Sequence, residues 1–520
     1  MTNDHPSEEI LFLKAIAKNL NMDFIELDSI DIDPIAIKYV NEKLARTHNI
    51  IPISADENEI VIAISDPSSL PVLDDISFIT GRKTIPILTT AQEIQTKINQ
   101  YYKSSDKTEQ AIEDFRNENT DSDNNELADA ASSADVDNAP IVRIVNSILT
   151  DAVKDGASDI HIEPFEKYIR VRIRVDGDLK EIMQLPKNSL SGIVTRIKII
   201  SDLNIAETKR PQDGRVRLTT GDQTVDMRVS LIPTVHGEKT VIRLLNSQGN
   251  VLDRSQLGLS PYNEAQLEKL MRITEGIVLV TGPTGSGKTT TLYSLLKDLN
   301  TPDKNIITLE DPVEYQMHGI NQVQVNSKIG MTFASGLRSI LRQDPDIIML
   351  GEIRDDETAE IAIRSAVTGH IVLSTLHTND TASSVTRLID MGIQSYMVTS
   401  AVTGIIAQRL VKRVCPKCAE TYEASDSECQ ILGVEHATLA RGKGCPICHG
   451  TGFKGRIAIH EVLVLTNALK SMVNHGCTSD ELKEAAIKGG MQTLADSARK
   501  LVLEGVTTIS EMERATYSID

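Results

Sequence analysis

Five hundred and twenty residues, at about 150 per domain, predict three or four domains rather than one. With 40% hydrophobic and 24% charged residues the chain is globular, and with no Trp and 3% aromatics its cores must be aliphatic. A formal charge of −19, from 73 Asp and Glu against 54 Lys and Arg, argues against a surface that grips nucleic acid or anionic lipid throughout, but leaves room for a local basic groove.

The polar, acidic start Met1–Glu9 lacks the basic and apolar pattern of a secretory signal, and no apolar run approaches the ~18 residues needed to cross a bilayer. A cytoplasmic or peripheral location is expected. Six cysteines are too few for a disulfide framework. Residues 1–103 read as a small α+β domain. Ile10–Leu13, Ile16 and Leu20 have helical spacing, Ile50–Ile53 and Glu59–Ile64 read as strands, and Gln92–Tyr102 as a closing helix. Residues 104–138 hold eleven Asp and Glu against Lys107 and Arg116, a net of −9, with few large apolar residues. Such a stretch cannot bury enough surface to offset ordering, which predicts a disordered linker; an acidic docking tail is the competing reading.

Residues 139–250 resume a folded composition. Pro140–Val153 has helical spacing; Ile169–Val175 alternates strictly into an Asp176-Gly177 turn; Arg215–Thr220, a Gly221-Asp222 turn and Thr224–Leu231 repeat the theme. This predicts a β-rich α+β domain with an arginine-studded outer face. From 251 to 410 the pattern becomes strand–turn–helix, predicting an α/β domain with a predominantly parallel sheet. A cysteine-bearing module (411–455) and a helical region (456–520) complete a multidomain α/β chain.

The apolar strand Gly276–Thr281 runs into Gly282, Pro283, Thr284, Gly285, Ser286, Gly287, Lys288, Thr289 and Thr290, and then a helical pattern. This is G-x-x-x-x-G-K-[ST] in a strand–loop–helix context, the phosphate cradle of a nucleotide site. The glycines let backbone N–H groups turn inward, and the helix dipole adds positive potential. Lys288 reaches the β/γ-phosphates and the Thr289 hydroxyl can ligate Mg²⁺. Hydrolysis further needs carboxylates. Asp346–Glu352 reads as a buried strand with Glu352 at its carboxyl end, where active groups of open α/β sheets sit. Glu352 is therefore the expected catalytic acid, a surface pair with Arg354 being the alternative. Ile306–Glu310 is another strand ending in acids, and Glu310, Asp311 and Glu314 at its edge repel unless a cation sits among them; solvated loop acids are the plainer reading. His370 and His377 bracket the strand Ile371–Thr375 as candidate γ-phosphate sensors, against a structural role.

These segments, in this order, resemble the secretion-superfamily ATPases, specifically the assembly motors of type II secretion and type IV pili. Gly282–Thr290 matches the family's Walker A motif, Thr308–Glu314 its Asp box, Asp346–Arg354 its Walker B segment, and Thr368–His370 through His377–Asn379 its His box. The match spans about 139–520 and is looser over 1–103. The resemblance implies a RecA-like motor core, a preceding PAS-like domain that supplies arginines to the nucleotide (Arg228 and Arg243, with Arg215 weaker), and ATP with Mg²⁺ as cofactors. It implies a homo-hexamer, acting with an inner-membrane platform protein and the cytoplasmic domain of a membrane assembly protein. It places the chain at the cytoplasmic face of the bacterial inner membrane, without direct nucleic-acid contact. An arginine contributed by another domain makes hydrolysis depend on domain arrangement, as a motor requires.

Cys415-Pro-Lys-Cys418 and Cys445-Pro-Ile-Cys448 are two C-x-x-C knuckles 26 residues apart. Four thiolates at this spacing close a tetrahedral site with no open position, hence structural Zn²⁺, with a rubredoxin-like iron site as the alternative. The retraction motors of type IV pili typically lack such a module, which leaves the assembly motors. Type II secretion is the leading expectation and type IV pilus extension its alternative. Two readings from other classes are a cyclic-dinucleotide module in 1–103, for which the expected Arg-Leu-Gly-rich motif is missing from Leu11–Leu27, and a nucleic-acid translocase.

Overall fold

The sequence patterns build three main sheets of distinct topology in this computed structural model. It describes residues 13–101 (with short gaps before residue 58), 140–220, 223–245 and 252–516. The 104–138 stretch, the Gly221-Asp222 turn and Ile10–Phe12 lie outside the described residues.

In the first unit, β1 (Asp23–Phe24), β2 (Ile50–Ala55), β3 (Glu59–Ile64) and β4 (Lys83–Leu88) form a sheet ordered β1-β4-β3-β2, antiparallel only between β2 and β3. Helices Leu70–Thr80 and Ala91–Tyr101 bury Leu73, Ile76, Ile94 and Ile98 in its aliphatic core.

The second unit begins with α1 (Pro140–Lys154), whose Ile144, Ile148 and Ala152 recur at the spacing of one helix face. Six strands follow: β5 (Asp159–Pro164), β6 (Tyr168–Val175), β7 (Asp178–Pro186), β8 (Gln212–Thr220), β9 (Gln223–Thr234) and β10 (Gly237–Leu245). They pair antiparallel in the order β7-β6-β5-β10-β9-β8. Between β7 and β8, helix α2 (Leu190–Ile200) joins α1 in covering one face, against Ile160, Ile162, Ile169, Val171 and Ile173. The period of two sends their neighbours to the other face, where Glu163 pairs with Arg170, Arg172 and Lys239. These cations outweigh the effect of burial and hold the Glu163 carboxyl down at about 2.

The motor sheet has seven strands: β11 (Gly276–Thr281), β12 (Ile306–Glu310), β13 (Asn321–Gln324), β14 (Ile347–Leu350), β15 (Ile371–Leu376), β16 (Val402–Val414) and, after two short strands described below, β19 (Phe453–Val464). The order is β13-β12-β14-β15-β11-β16-β19, parallel except for the β16–β19 pair. Buried aliphatic residues alternate to both faces, as a sheet covered by helices on both sides requires. Here the structure moves two expected boundaries. Positions 411 and 455 both fall inside strands of this sheet, because β19 pairs with β16 from Gly404↔Val464 out to Val414↔Phe453. The cysteine module is an insertion at the tip of a long hairpin, carrying the small β17 (Ala419–Glu423) and β18 (Thr438–Gly442). The helical region begins only after Val464.

Candidate nucleotide site

All six residues of β11 are buried, which fixes where the phosphate loop emerges. Gly282, Gly285 and Gly287 adopt positive φ (150°, 80° and 87°), which side chains with a Cβ rarely adopt. Helix α3 (Lys288–Leu299) starts directly after them. The Lys288 ammonium folds back over the loop and donates to the carbonyls of Gly282 (2.9 Å) and Pro283 (3.0 Å). Burial pushes its pKa below the usual lysine range and Arg409 adds to this, while Glu352 opposes it.

The register of the sheet decides which predicted groups reach this loop. Thr281 lies level with Leu376 on β15 and Ala407 on β16, so the residues just beyond them share the loop's edge. Thr281 Oγ1 also accepts from the Thr378 backbone N–H at 3.0 Å, tying the two strand exits together. His377 and Glu352 meet at this edge, with Nε2 to Oε2 at 3.2 Å. Glu352 also pairs with Arg354, so the ion pair weighed as an alternative is present within the site itself. Burial would raise the Glu352 pKa, but Arg354 and His377 together hold it below the ordinary carboxylate range, so it is ionised at neutral pH.

Three expectations need correction. His370 precedes β15 by one residue, at the opposite edge of the sheet, six residues or about 20 Å from the loop. Its Nδ1–H donates to the Ser365 carbonyl at 2.9 Å, a structural role. Glu310 is buried rather than poised in solvent. It accepts from the Tyr293 hydroxyl, from Thr308 Oγ1 (2.6 Å) and from Gln322 Nε2 (3.2 Å). Those donors offset its desolvation. Nor do Glu310, Asp311 and Glu314 converge on one point. Among the described residues the only cluster of three or more such ligands is the cysteine quartet. Glu314 instead pairs with Arg228, with Oε2 and Nη2 3.2 Å apart.

A cleft of about 1310 Å³ separates the phosphate loop from the arginine-bearing domain. The loop, Glu310, Glu352 and His377 line one wall; Asp159, Arg174 and Arg243 line the other. Arg243 Nε donates to Asp159 Oδ1 at 2.9 Å, so it is held at the cleft by a buried carboxylate. Burial raises the Asp159 pKa, but hydrogen bonds from Arg243 and Ser158 bring it below the usual range. Arg228 and Arg215 line only a second, smaller cavity beside Asp311, which Arg243 borders as well as the cleft. The two predicted arginines are therefore not equivalent. The domains also touch directly. Asp176, in the β6–β7 turn, accepts from the Gly455 backbone N–H at 2.7 Å and lies 3.5 Å from Arg456 Nε; Asp178 pairs with Lys412.

Sequence reasoning missed Asp159, Arg174, Tyr293 and Arg409. Arg409 follows Gln408 in the otherwise apolar run Ile405–Val411, and a polar pair inside a buried strand is a usable signal. Tyr293 is one of only ten tyrosines, yet it is wholly buried with its hydroxyl bonded, which nothing local reveals.

At the hairpin tip, Cys415 and Cys445 bring their Sγ atoms to 3.9 Å, Cys418 and Cys448 to 3.8 Å, and Cys445 and Cys448 to 3.6 Å. A tetrahedron with metal–sulfur bonds of ~2.3 Å has edges of ~3.8 Å, so the quartet fits a four-thiolate ion. The backbone N–H groups of Cys445 (3.1 Å) and Gly452 (3.3 Å) point at Cys448 Sγ, as donors to a thiolate do.

A strand-fed phosphate loop, an ionised carboxylate with its histidine at the same sheet edge, and an arginine facing them define a P-loop ATPase of the secretion and pilus type. The chain belongs to the Type II/IV secretion system protein family, whose description matches residues 134–514, and an MshEN domain matches residues 20–108. It is 42% identical over 518 residues to the type IV pilus assembly ATPase PilB of Myxococcus xanthus, covering 97% of this chain and 91% of that one. It is 49% identical over 384 residues to the type II secretion system protein E of Pseudomonas aeruginosa, covering 73% and 76%. The fold also resembles the ATPase DotB of Legionella pneumophila, with a TM-score of 0.54 at 22% identity over 71% of this chain and 94% of that one. Among the described residues no helix is long and apolar enough to cross a membrane.

Proposed function

We propose that this ATPase drives assembly of a pilin-type fibre from the cytoplasmic face of a bacterial inner membrane, acting as a hexamer. The observation that carries this reading is the cleft itself, with the phosphate loop, Glu352 and His377 on one wall and Arg243 on a separate domain across from them. ATP phosphates suit the loop amides and Lys288, and the Thr289 hydroxyl suits the shell of Mg²⁺, which neutralises the β- and γ-oxygens when bound. Glu352, kept ionised by its neighbours, accepts a proton from water or orients it. The four cysteines suit structural Zn²⁺. An inner-membrane platform protein and the cytoplasmic domain of a membrane assembly protein are the partners that such a motor requires.

Glu352→Gln should bind nucleotide yet hydrolyse it roughly 10²–10⁴-fold more slowly, and Lys288→Ala should lose tight binding. Normal turnover by the Glu352→Gln protein would remove that residue from the role. Type II secretion is the leading system. One observation favours type IV pilus extension, namely that similarity to the PilB relative extends over 97% of the chain, first domain included. Deleting the gene and scoring both secreted proteins and surface pili separates the two.

A further inference from the structure

The phosphate loop must hold its amides inward before ATP arrives, and the residue that enforces this lies outside the loop. Gln408 sits on β16, directly after Ala407, the strand partner of Thr281 at the loop's base, and is 2% exposed. Its Nε2 donates to the Ser286 carbonyl at 2.8 Å. Its Oε1 accepts from Thr291 Oγ1, in the first turn of α3, at 2.6 Å. The amide orientation follows from these partners, because a carbonyl only accepts and the Gln oxygen cannot donate.

We propose that Gln408 is a positioning residue for ATP binding, selecting the phosphate-competent orientation of the Ser286–Gly287 peptide. In a trans peptide the carbonyl of one residue and the N–H of the next point in opposite directions. Anchoring the Ser286 carbonyl on β16 therefore aims the Gly287 N–H away from β16, toward the cradle. A flipped peptide would bury that carbonyl's partner unsatisfied and turn the amide away from phosphate, at a cost of a lost buried hydrogen bond. The Thr291 contact fixes the other end of the same segment, so both sides of Gly287–Thr291 are pinned to one side chain.

The loop's glycines carry the same signature. A Cβ on Gly287 would lie 2.9 Å from Gln408 Nε2, and one on Gly282 would lie 2.4 Å from the backbone carbonyl oxygen of residue 408. Gly287 thus vacates space beside the Gln408 side chain, and Gly282 lets the loop pack against the β16 backbone. The Ser286 hydroxyl, buried and without a protein partner, marks the loop face left for ligand. A purely structural Gln408 would satisfy two buried groups and stabilise the core without altering how well the folded protein binds nucleotide.

The inference rests on nucleotide binding at this loop, so the test begins with the affinity of the full chain for a fluorescent ATP analogue and with its ATPase rate. If the wild type binds no nucleotide, the proposed function itself fails. If it binds, Gln408→Met should weaken binding on the order of tenfold, with kcat at saturating ATP falling less than about threefold. Gln408→Glu should weaken it further, because a carboxylate repels both the Ser286 carbonyl and the phosphates. Thr291→Val should cost about threefold and Thr291→Ser should recover it, since only the hydroxyl matters. Unchanged affinity in Gln408→Met overturns the inference, as does a lowered melting temperature with normal affinity in the folded fraction. Where the Gln408 variants do not fold, equal affinities of Thr291→Val and Thr291→Ser overturn it.

Discussion

His460 is expected to make the motor core acid-sensitive. It lies on β19 directly opposite Gln408, is 1% exposed, and neither ring nitrogen has a partner among the described groups. Burial alone pushes its pKa from 6.5 to about 4. The imidazole is therefore neutral in the fold, and between those two values the unfolded chain binds more protons than the folded one. Stability is full above pH 6.5 and falls as the pH drops toward 4. Linkage puts the loss from this residue at about 2 kcal/mol between pH 7 and pH 5, and at about 3 kcal/mol over the whole window. His460→Leu keeps the volume and removes the titration. Urea unfolding at pH 7 and pH 5, followed by circular dichroism because the chain has no Trp, should show the wild type losing about 2 kcal/mol more than the variant. Parallel losses in the two proteins would refute the reasoning.

Other expectations follow from the same geometry. Tyr293→Phe strips a hydrogen bond from buried Glu310 and should destabilise the core by about 1–3 kcal/mol, read as a lower urea midpoint. Cys415→Ser should lower both the bound metal, expected at one zinc per chain by elemental analysis, and the thermal midpoint; a protein that carries iron instead would select the rubredoxin-like alternative. Replacing Asp176 and Asp178 together with Ala removes the contacts of the β6–β7 turn with Gly455, Arg456 and Lys412. The exposed Asp178 pair is worth under about 1 kcal/mol and is screened by salt, and the half-exposed Asp176–Arg456 pair is screened in part. Proteolysis between the two domains should accelerate a few-fold, and unchanged protection would count against a docking role for this turn.

The local chemistry of this chain was readable without a structure. A glycine at each left-handed loop position, a lysine at the helix start and cysteines in paired knuckles each act through backbone geometry within a few residues, so Gly282–Thr290 and Cys415–Cys448 announce themselves. Strict alternation likewise announced the arginine-bearing sheet. What sequence order could not supply was register. His370 and His377 flank the same strand, yet six residues of extended chain put them on opposite edges, and the parallel pairing of β15 with β11 brings the His377 edge, not the His370 edge, to the loop. The same holds for Arg228 and Arg243, opposite each other on β9 and β10, where Glu314 claims one and Asp159 holds the other at the cleft. Glu310 looked like an edge acid until Tyr293, Thr308 and Gln322 closed around it. The β16–β19 hairpin was divided at 411 and 455 because its two halves are separated by the cysteine insertion. Their union, like the β11–β16 pairing that sets Gln408 beside the loop, depends on long-range hydrogen bonding that no local pattern encodes. The sequence by itself determined which chemistry the chain carries; the tertiary pairing decided which of its acids, histidines and arginines share one phosphate site.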